Sequence, residues 1–153
     1  MSSILVQRSS IHGTGVYAAR DFATDEEIVY YTGRMVTHAE ADANFEETGH
    51  TFLFNLNEHW VIDGSVDGND ARWINHSCEP NCQPVQVESD DGPDHDRMVI
   101  QALRPIKAGE ELTYDYGLTT PDPITDQERV LWVCRCGASV CSGIMLKHEP
   151  PAA

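Results

Sequence analysis

The sequence predicts a mainly β domain with one short helix and a cysteine-rich C-terminal appendage held by metal. Three observations carry this prediction. Short runs of β-branched and aromatic residues alternate with clusters of Gly, Pro, Asn and Asp, the punctuation of many short strands. Residues 37–40, Thr-His-Ala-Glu, have the spacing of a helix-starting capping box. Cys134, Cys136 and Cys141 crowd into one segment near the C-terminus, a spacing that suits metal ligands better than a disulfide framework.

Taken in order, residues 4–7 read as a strand leading into Ser10-Ile11-His12-Gly13-Thr14-Gly15-Val16. Its two glycines permit either a hairpin turn or a close backbone approach to a ligand, and Gly-x-Gly alone does not choose between them. A dinucleotide fingerprint would need a third glycine and a following amphipathic helix. Residues 27–36 form a strand broken near Gly33, with Tyr30 and Tyr31 on opposite faces. A mostly polar helix is expected from residue 37 to about 47. Residues 51–56, 57–59 and 60–63 read as strand, turn and strand, and 64–70 as loop. Residues 83–88 and 97–103 are strands around an acidic turn at 90–96, and 105–111 turn the chain into Leu112-Thr113-Tyr114-Asp115-Tyr116-Gly117. Residues 119–126 carry two prolines and read as a linker to the cysteine-rich tail.

The densest polar stretch is Arg72-Trp73-Ile74-Asn75-His76-Ser77-Cys78-Glu79-Pro80-Asn81-Cys82. Buried polar groups without partners cost about 1–3 kcal/mol each, so this stretch is either a solvated loop or a site whose groups are committed to a ligand, a metal or another strand.

Composition bounds the function. At 153 residues the chain has the length of one domain with a real core. A formal charge of −15 repels phosphate backbones and anionic lipid and favours basic partners, so nucleic acid is not expected as a direct ligand. No apolar run has the length of a membrane span, and the N-terminal one is too short for a signal peptide. A monomer inside the cell, cytoplasmic or nuclear, is expected.

Six pieces in order resemble the SET-domain protein lysine methyltransferases with a post-SET zinc motif. They are His12-Gly13-Thr14-Gly15-Val16, Tyr31-Thr32-Gly33, Gly68-Asn69, the segment from Arg72 to Cys82, Gly109-Glu110-Glu111-Leu112-Thr113-Tyr114-Asp115-Tyr116-Gly117, and Cys134-Arg135-Cys136 with Cys141-Ser142-Gly143. The resemblance spans residues 4–146. It implies a SET-domain fold of several small sheets with a threaded, pseudoknotted C-terminal segment that brings Asn75-His76 beside Tyr114-Tyr116. Implied boundaries are a SET domain at 1–118 with a variable insert at 37–70, a linker at 119–129, a post-SET zinc motif at 130–148 and a tail at 149–153, with no pre-SET region.

The implied activity is transfer of a methyl group from S-adenosylmethionine to a lysine of a basic protein, such as a histone, nucleoid or ribosomal protein. The alternative is a catalytically weak SET module that binds basic peptides. By the resemblance, Tyr116 is the catalytic tyrosine, Tyr31 lines the lysine channel, and Tyr114 takes room that favours mono- or dimethylation. Gly13, Thr14, Gly15, Phe52, Asn75, His76 and Leu146 are the implied cofactor contacts. Phe52 stands where many relatives have tyrosine, and Arg34 where they often have Glu. Arg72 is expected to brace the loop, and Asp115 has a structural role as readily as a functional one. One structural zinc is implied on Cys78, Cys134, Cys136 and Cys141, with His148 the rival to Cys78 and Cys82 left over.

Overall fold

The computed structural model describes residues 3–11, 13–44, 52–120, 122–136, 139 and 141–149. Strands form where β-branched and aromatic residues cluster, and stop where turn residues intervene. In chain order they are β1 (Ile4–Arg8), β2 (Thr14–Ala18), β3 (Glu27–Tyr31), β4 (Arg34–Thr37), β5 (Leu53–Asn55), β6 (Trp60–Asp63), β7 (Asn75–His76), β8 (Cys82–Val87), β9 (Arg97–Ala102), β10 (Thr113–Tyr114), β11 (Thr119–Thr120) and β12 (Lys147–His148). Helix α1 covers His38–Asn44 and α2 Asp126–Leu131.

These strands make five small sheets. β1 pairs antiparallel with β2, β9 lies between β3 and β8, and β6 lies between β4 and β5. β7 with β10, and β11 with β12, are parallel pairs. Pro84 falls in β8, at the edge of its sheet, where a missing N–H is tolerated. The core is shared among the sheets: Val16, Ile74, Val99, Ile100, Ile106 and Leu112 are all at most 1% exposed. Burying each such side chain is worth about 1.5–3 kcal/mol.

The break expected near Gly33 separates β3 from β4, which belong to different sheets. The helix expected from residue 37 begins with Thr37 accepting the Glu40 amide proton at 3.1 Å, and its expected continuation beyond Asn44 lies outside the described residues. A second short helix, α2, stands in the stretch read as a linker. Its cap is a full capping box: Thr125 accepts from the Glu128 amide, and Glu128 accepts from the Thr125 amide, both at 3.1 Å. The spacing Thr-x-x-Glu at 125–128 is the local signal that marks it. Among the described residues no helix is long and apolar enough to cross a membrane.

Candidate functional site

Most of the dense polar stretch is buried and hydrogen-bonded, the exceptions being the exposed Glu79 and the Arg72 Nε, which is buried without a partner. A 3₁₀ turn at Asp70–Trp73, capped by the Asn69 side chain, delivers the chain into β7, where Asn75 and His76 are 6% and 4% exposed. β7 lies parallel to β10, with Asn75 opposite Thr113 and His76 opposite Tyr114. A parallel pair this short and this buried needs support from side chains, and Asn81 supplies it. Its Nδ2 donates to the Glu111 carbonyl at 2.8 Å, and its Oδ1 accepts from the Thr113 amide at 2.9 Å.

The Asn75 side chain reaches the N-terminal hairpin. Its Nδ2 lies 3.0 Å from Ser9 Oγ, 3.1 Å from the Thr14 carbonyl and 3.0 Å from Glu111 Oε2. This brings Asn75 and the Gly13–Gly15 turn together. Gly13 has φ +48, Thr14 is exposed, and the Gly13 carbonyl accepts from the Ser9 amide at 2.7 Å. His12, part of the same motif, lies outside the described residues.

The three tyrosines converge. The Tyr116 hydroxyl donates to the Ile74 carbonyl at 2.5 Å, and its amide to His76 Nδ1 at 3.1 Å. The Tyr31 hydroxyl donates to the Phe52 carbonyl at 2.7 Å. A side chain at residue 64 would press on that hydroxyl at 2.7 Å, so the tyrosine needs Gly64 beside it. Ring centroids of Tyr114 and Tyr116 are 4.9 Å apart. Phe54 completes the wall, 4.8 Å from Tyr31 and 5.7 Å from Tyr114. Sequence reasoning chose Phe52 and passed over Phe54, but β5 begins at Leu53 and leaves Phe52 outside the strand. Phe52 instead packs edge-on against Trp73 at 5.3 Å.

Phe54, Tyr114 and Tyr116 line a cavity of about 580 Å³ whose other walls include Asp42, Asn55 and Asp115. Burial pushes the hydroxyls of Tyr31, Tyr114 and Tyr116 well above the usual tyrosine range. Burial also lowers the His76 pKa, against the opposing pull of Asp115. Because Nδ1 accepts from the Tyr116 amide, the His76 proton sits on Nε2, 3.7 Å from Cys78 Sγ. Asp115 accepts from the Gly117 amide at 2.9 Å and pairs with Lys147 at 3.4 Å. Burial alone would raise its carboxyl, but these partners hold it below its ordinary value.

Cys78, Cys134, Cys136 and Cys141 bring four Sγ atoms within 4.8 Å of one another. Cys78 is 3.7 Å from both Cys134 and Cys141. A tetrahedral zinc with Zn–S bonds near 2.3 Å has S–S edges of roughly 3.8 Å, so the donor set fits that metal in type and spacing. Cys82 is 1% exposed and donates to Asn81 Oδ1 at 3.3 Å. Burial pushes its thiol up to about 12, and it lies outside the group of four thiols. His148 lies exposed in β12, outside this group.

Leu146, 7% exposed, precedes β12, which pairs with β11 just beyond Tyr116. Arg72 stacks its guanidinium 5.0 Å over the Trp73 ring and points one nitrogen at the Gly64 carbonyl, 3.5 Å away. Arg34 stands exposed at the start of β4, pairing in register with Asp63.

Comparison with known proteins agrees with this geometry. The SET domain family profile matches residues 13–117. The chain is 41% identical over 143 residues to "Histone-lysine N-methyltransferase set-2" of Caenorhabditis elegans, covering 90% of this chain and 9% of that protein. It is 37% identical over 140 residues to "Histone-lysine N-methyltransferase trithorax" of Drosophila virilis, covering 89% and 3% respectively. Against "Histone-lysine N-methyltransferase, H3 lysine-4 specific" of Saccharomyces cerevisiae it is 37% identical over 147 residues, 93% of this chain and 13% of that one. The chain thus spans only a small part of the length of these relatives. The matched span takes in β7, β10 and the three converging tyrosines, and on it this chain belongs to the SET domain family.

Proposed function

We propose that the chain is a protein-lysine N-methyltransferase that takes its methyl group from S-adenosylmethionine and acts on a basic protein. The observation that carries this reading is the convergence of Tyr31, Phe54, Tyr114 and Tyr116 beside the Asn75-His76 strand. Such an aromatic channel matches what methylation of an amine demands. A lysine with a reference pKa near 10.4 must become neutral, at a cost of about 3 kcal/mol at pH 8, and a desolvating aromatic wall lowers that cost. The amine must also be held about 3–3.5 Å from the methyl carbon and in line with it, which rigid walls favour.

S-adenosylmethionine supplies a methyl group made electrophilic by a sulfonium. The buried Asn75 side chain, which donates from Nδ2 to the Thr14 carbonyl and to Glu111, and the Gly13–Gly15 turn it reaches are assigned to that ligand. Tyr116, with its hydroxyl anchored on the Ile74 carbonyl, is the residue we assign to the transfer site, and Tyr31 to the channel wall. The Tyr114 hydroxyl takes space in that wall, which favours mono- or dimethylation. Gly13, Thr14, Gly15, His76, Phe52 and Leu146 are assigned to the cofactor side. Zinc on Cys78, Cys134, Cys136 and Cys141 would tie the Asn75-His76 loop to the C-terminal tail.

The charge of −15 and the acids Asp42 and Asp115 on the cavity wall support a basic substrate, a histone tail being one. The same reading divides the chain into a SET domain at 1–118 and a post-SET motif at 130–148. Incubation with labelled S-adenosylmethionine and a panel of histones and other basic proteins, with mapping of the modified residue, tests the proposal. Label on a lysine ε-nitrogen is expected; binding of basic peptides with no transfer would leave a binding module and sink the assignment.

A further inference from the structure

We infer that Asp42 reads the surroundings of the lysine that enters the aromatic cavity, selecting substrates with a second basic side chain within about two residues of it, while Lys147 of the chain's own tail occupies Asp115. The inference rests on that cavity taking the substrate lysine. Asp42 and Asp115 are the only charged side chains on its wall; the rest of the lining is apolar, hydroxyl, amide or glycine. A cation entering the cavity therefore has two carboxylates to meet, and the structure distinguishes them.

Asp115 is already committed. Its Oδ1 accepts from the Gly117 amide at 2.9 Å, and its Oδ2 lies 3.4 Å from Lys147 Nζ. Lys147 stands on β12 in register with Thr119, itself on the cavity wall, so backbone pairing keeps this cation beside the acid. The chain thus offsets the Asp115 charge from within. Asp42 is exposed and, among the described residues, has neither a hydrogen-bond nor an ion-pair partner.

Local structure gives no reason for an acid at residue 42. It falls in the last turn of α1, which holds no basic residue and where backbone carbonyls already carry partial negative charge. A carboxylate there works against the helix, and a cation brought by a ligand would meet both charges at once. Size sets the reach. A compact space of about 580 Å³ is roughly 10 Å across, and an extended chain advances about 3.3 Å per residue, so about three residues of a substrate strand fit within it. An acidic neighbour of the lysine would be turned away by the same uncompensated charge.

The test uses short capped peptides of alanine, serine and glycine with one central lysine. Each carries arginine, or its neutral near-isostere citrulline, at a single position up to two residues before or after the lysine. Affinity is read by fluorescence anisotropy with and without S-adenosylhomocysteine, and transfer separately as kcat/KM with S-adenosylmethionine. Wild type is expected to favour arginine over citrulline about two- to five-fold at one or more positions, the range of an exposed ion pair, and less so as salt rises. Asp42→Asn should bring that ratio to about one, and Asp42→Glu should keep it. Lys147→Ala should raise it further, because Asp115 is released to a substrate cation. The general field of a chain at −15 would favour arginine at every position and survive the loss of one charge. Equal ratios in wild type and Asp42→Asn would therefore overturn the role of Asp42, and an unchanged ratio in Lys147→Ala the role of Lys147. A preference seen in binding without any transfer would uphold the inference and remove the methyltransferase reading. Failure of wild type to bind any of the peptides would overturn both.

Discussion

Cys78 Sγ lies 3.7 Å from Cys134 Sγ, although 56 residues separate them in the chain. The contact joins the loop after β7 to the C-terminal tail, and His76 Nε2 stands 3.7 Å from the same Cys78 sulfur. A metal held at these thiols would act on the site through the His76 ring, which accepts from the Tyr116 amide.

Metal removal is expected to cost both stability and transfer. Binding at structural zinc sites is folding free energy, with apparent values of about 10–16 kcal/mol in small zinc domains. Chelation, or Cys78→Ser, should lower the melting temperature and reduce methyl transfer at least about ten-fold, in the range seen when support around a metal is lost. Metal analysis of the Cys78→Ser chain checks this, and one tightly held zinc per chain in that variant would contradict it.

Tyr116→Phe separates chemistry from folding. The hydroxyl donates to the Ile74 carbonyl, so its loss leaves a carbonyl without that donor at about 1–3 kcal/mol. A group at the transfer site should cost about 10²–10³ in kcat, as loss of a preorganised donor does. Single-turnover kinetics with a saturating peptide reads this directly. A change confined to the melting temperature would reduce Tyr116 to a core residue.

Tyr114→Phe should shift the product distribution toward higher methylation. Tyr114 is 6% exposed, with its ring between Phe54 and Tyr116, so removing its oxygen opens space in the channel wall rather than at the surface. Mass spectrometry of the modified peptide should show more di- and trimethyl product than wild type; an unchanged distribution would show that another group limits the amine.

The pH dependence follows from the buried tyrosines. Their folded-state pKa values are raised by burial, so Tyr31, Tyr114 and Tyr116 stay protonated through the range in which the substrate lysine loses its proton. Transfer should rise with pH from about 7 to 9 without a falling limb from these groups. The stability sign is opposite: a raised acid pKa contributes stability that is complete below about 10, the unfolded value, and is lost as pH rises beyond it. Ultraviolet titration should show three tyrosines ionising only with alkaline unfolding, and their ionisation in the folded chain would refute the assignment.

Much of the candidate site was legible as residue types. The density of amides, thiols and histidine between Arg72 and Cys82 announced groups that needed partners, and the spacing of Cys134, Cys136 and Cys141 announced metal chemistry. What stayed hidden was the partner of each group. The Asn75 side chain is held by Ser9, Thr14 and Glu111, which lie 66, 61 and 36 residues away. Helix α2 was missed for a different reason, since the two prolines that precede it, at 121 and 123, outweighed a capping box present in the same stretch.

The sequence by itself determined most of the longer strands, their turns, three of the thiols for one metal and the aromatic stock of the site. These follow from backbone propensity and side-chain chemistry, which act locally and leave a period or a spacing to read. The tertiary structure pairs β7 with β10, as the resemblance implies, and it alone decided that Phe54 joins the tyrosines and that Glu111 meets Asn75. Those are pairings across long loops, selected by the burial they achieve together rather than by any repeat along the chain.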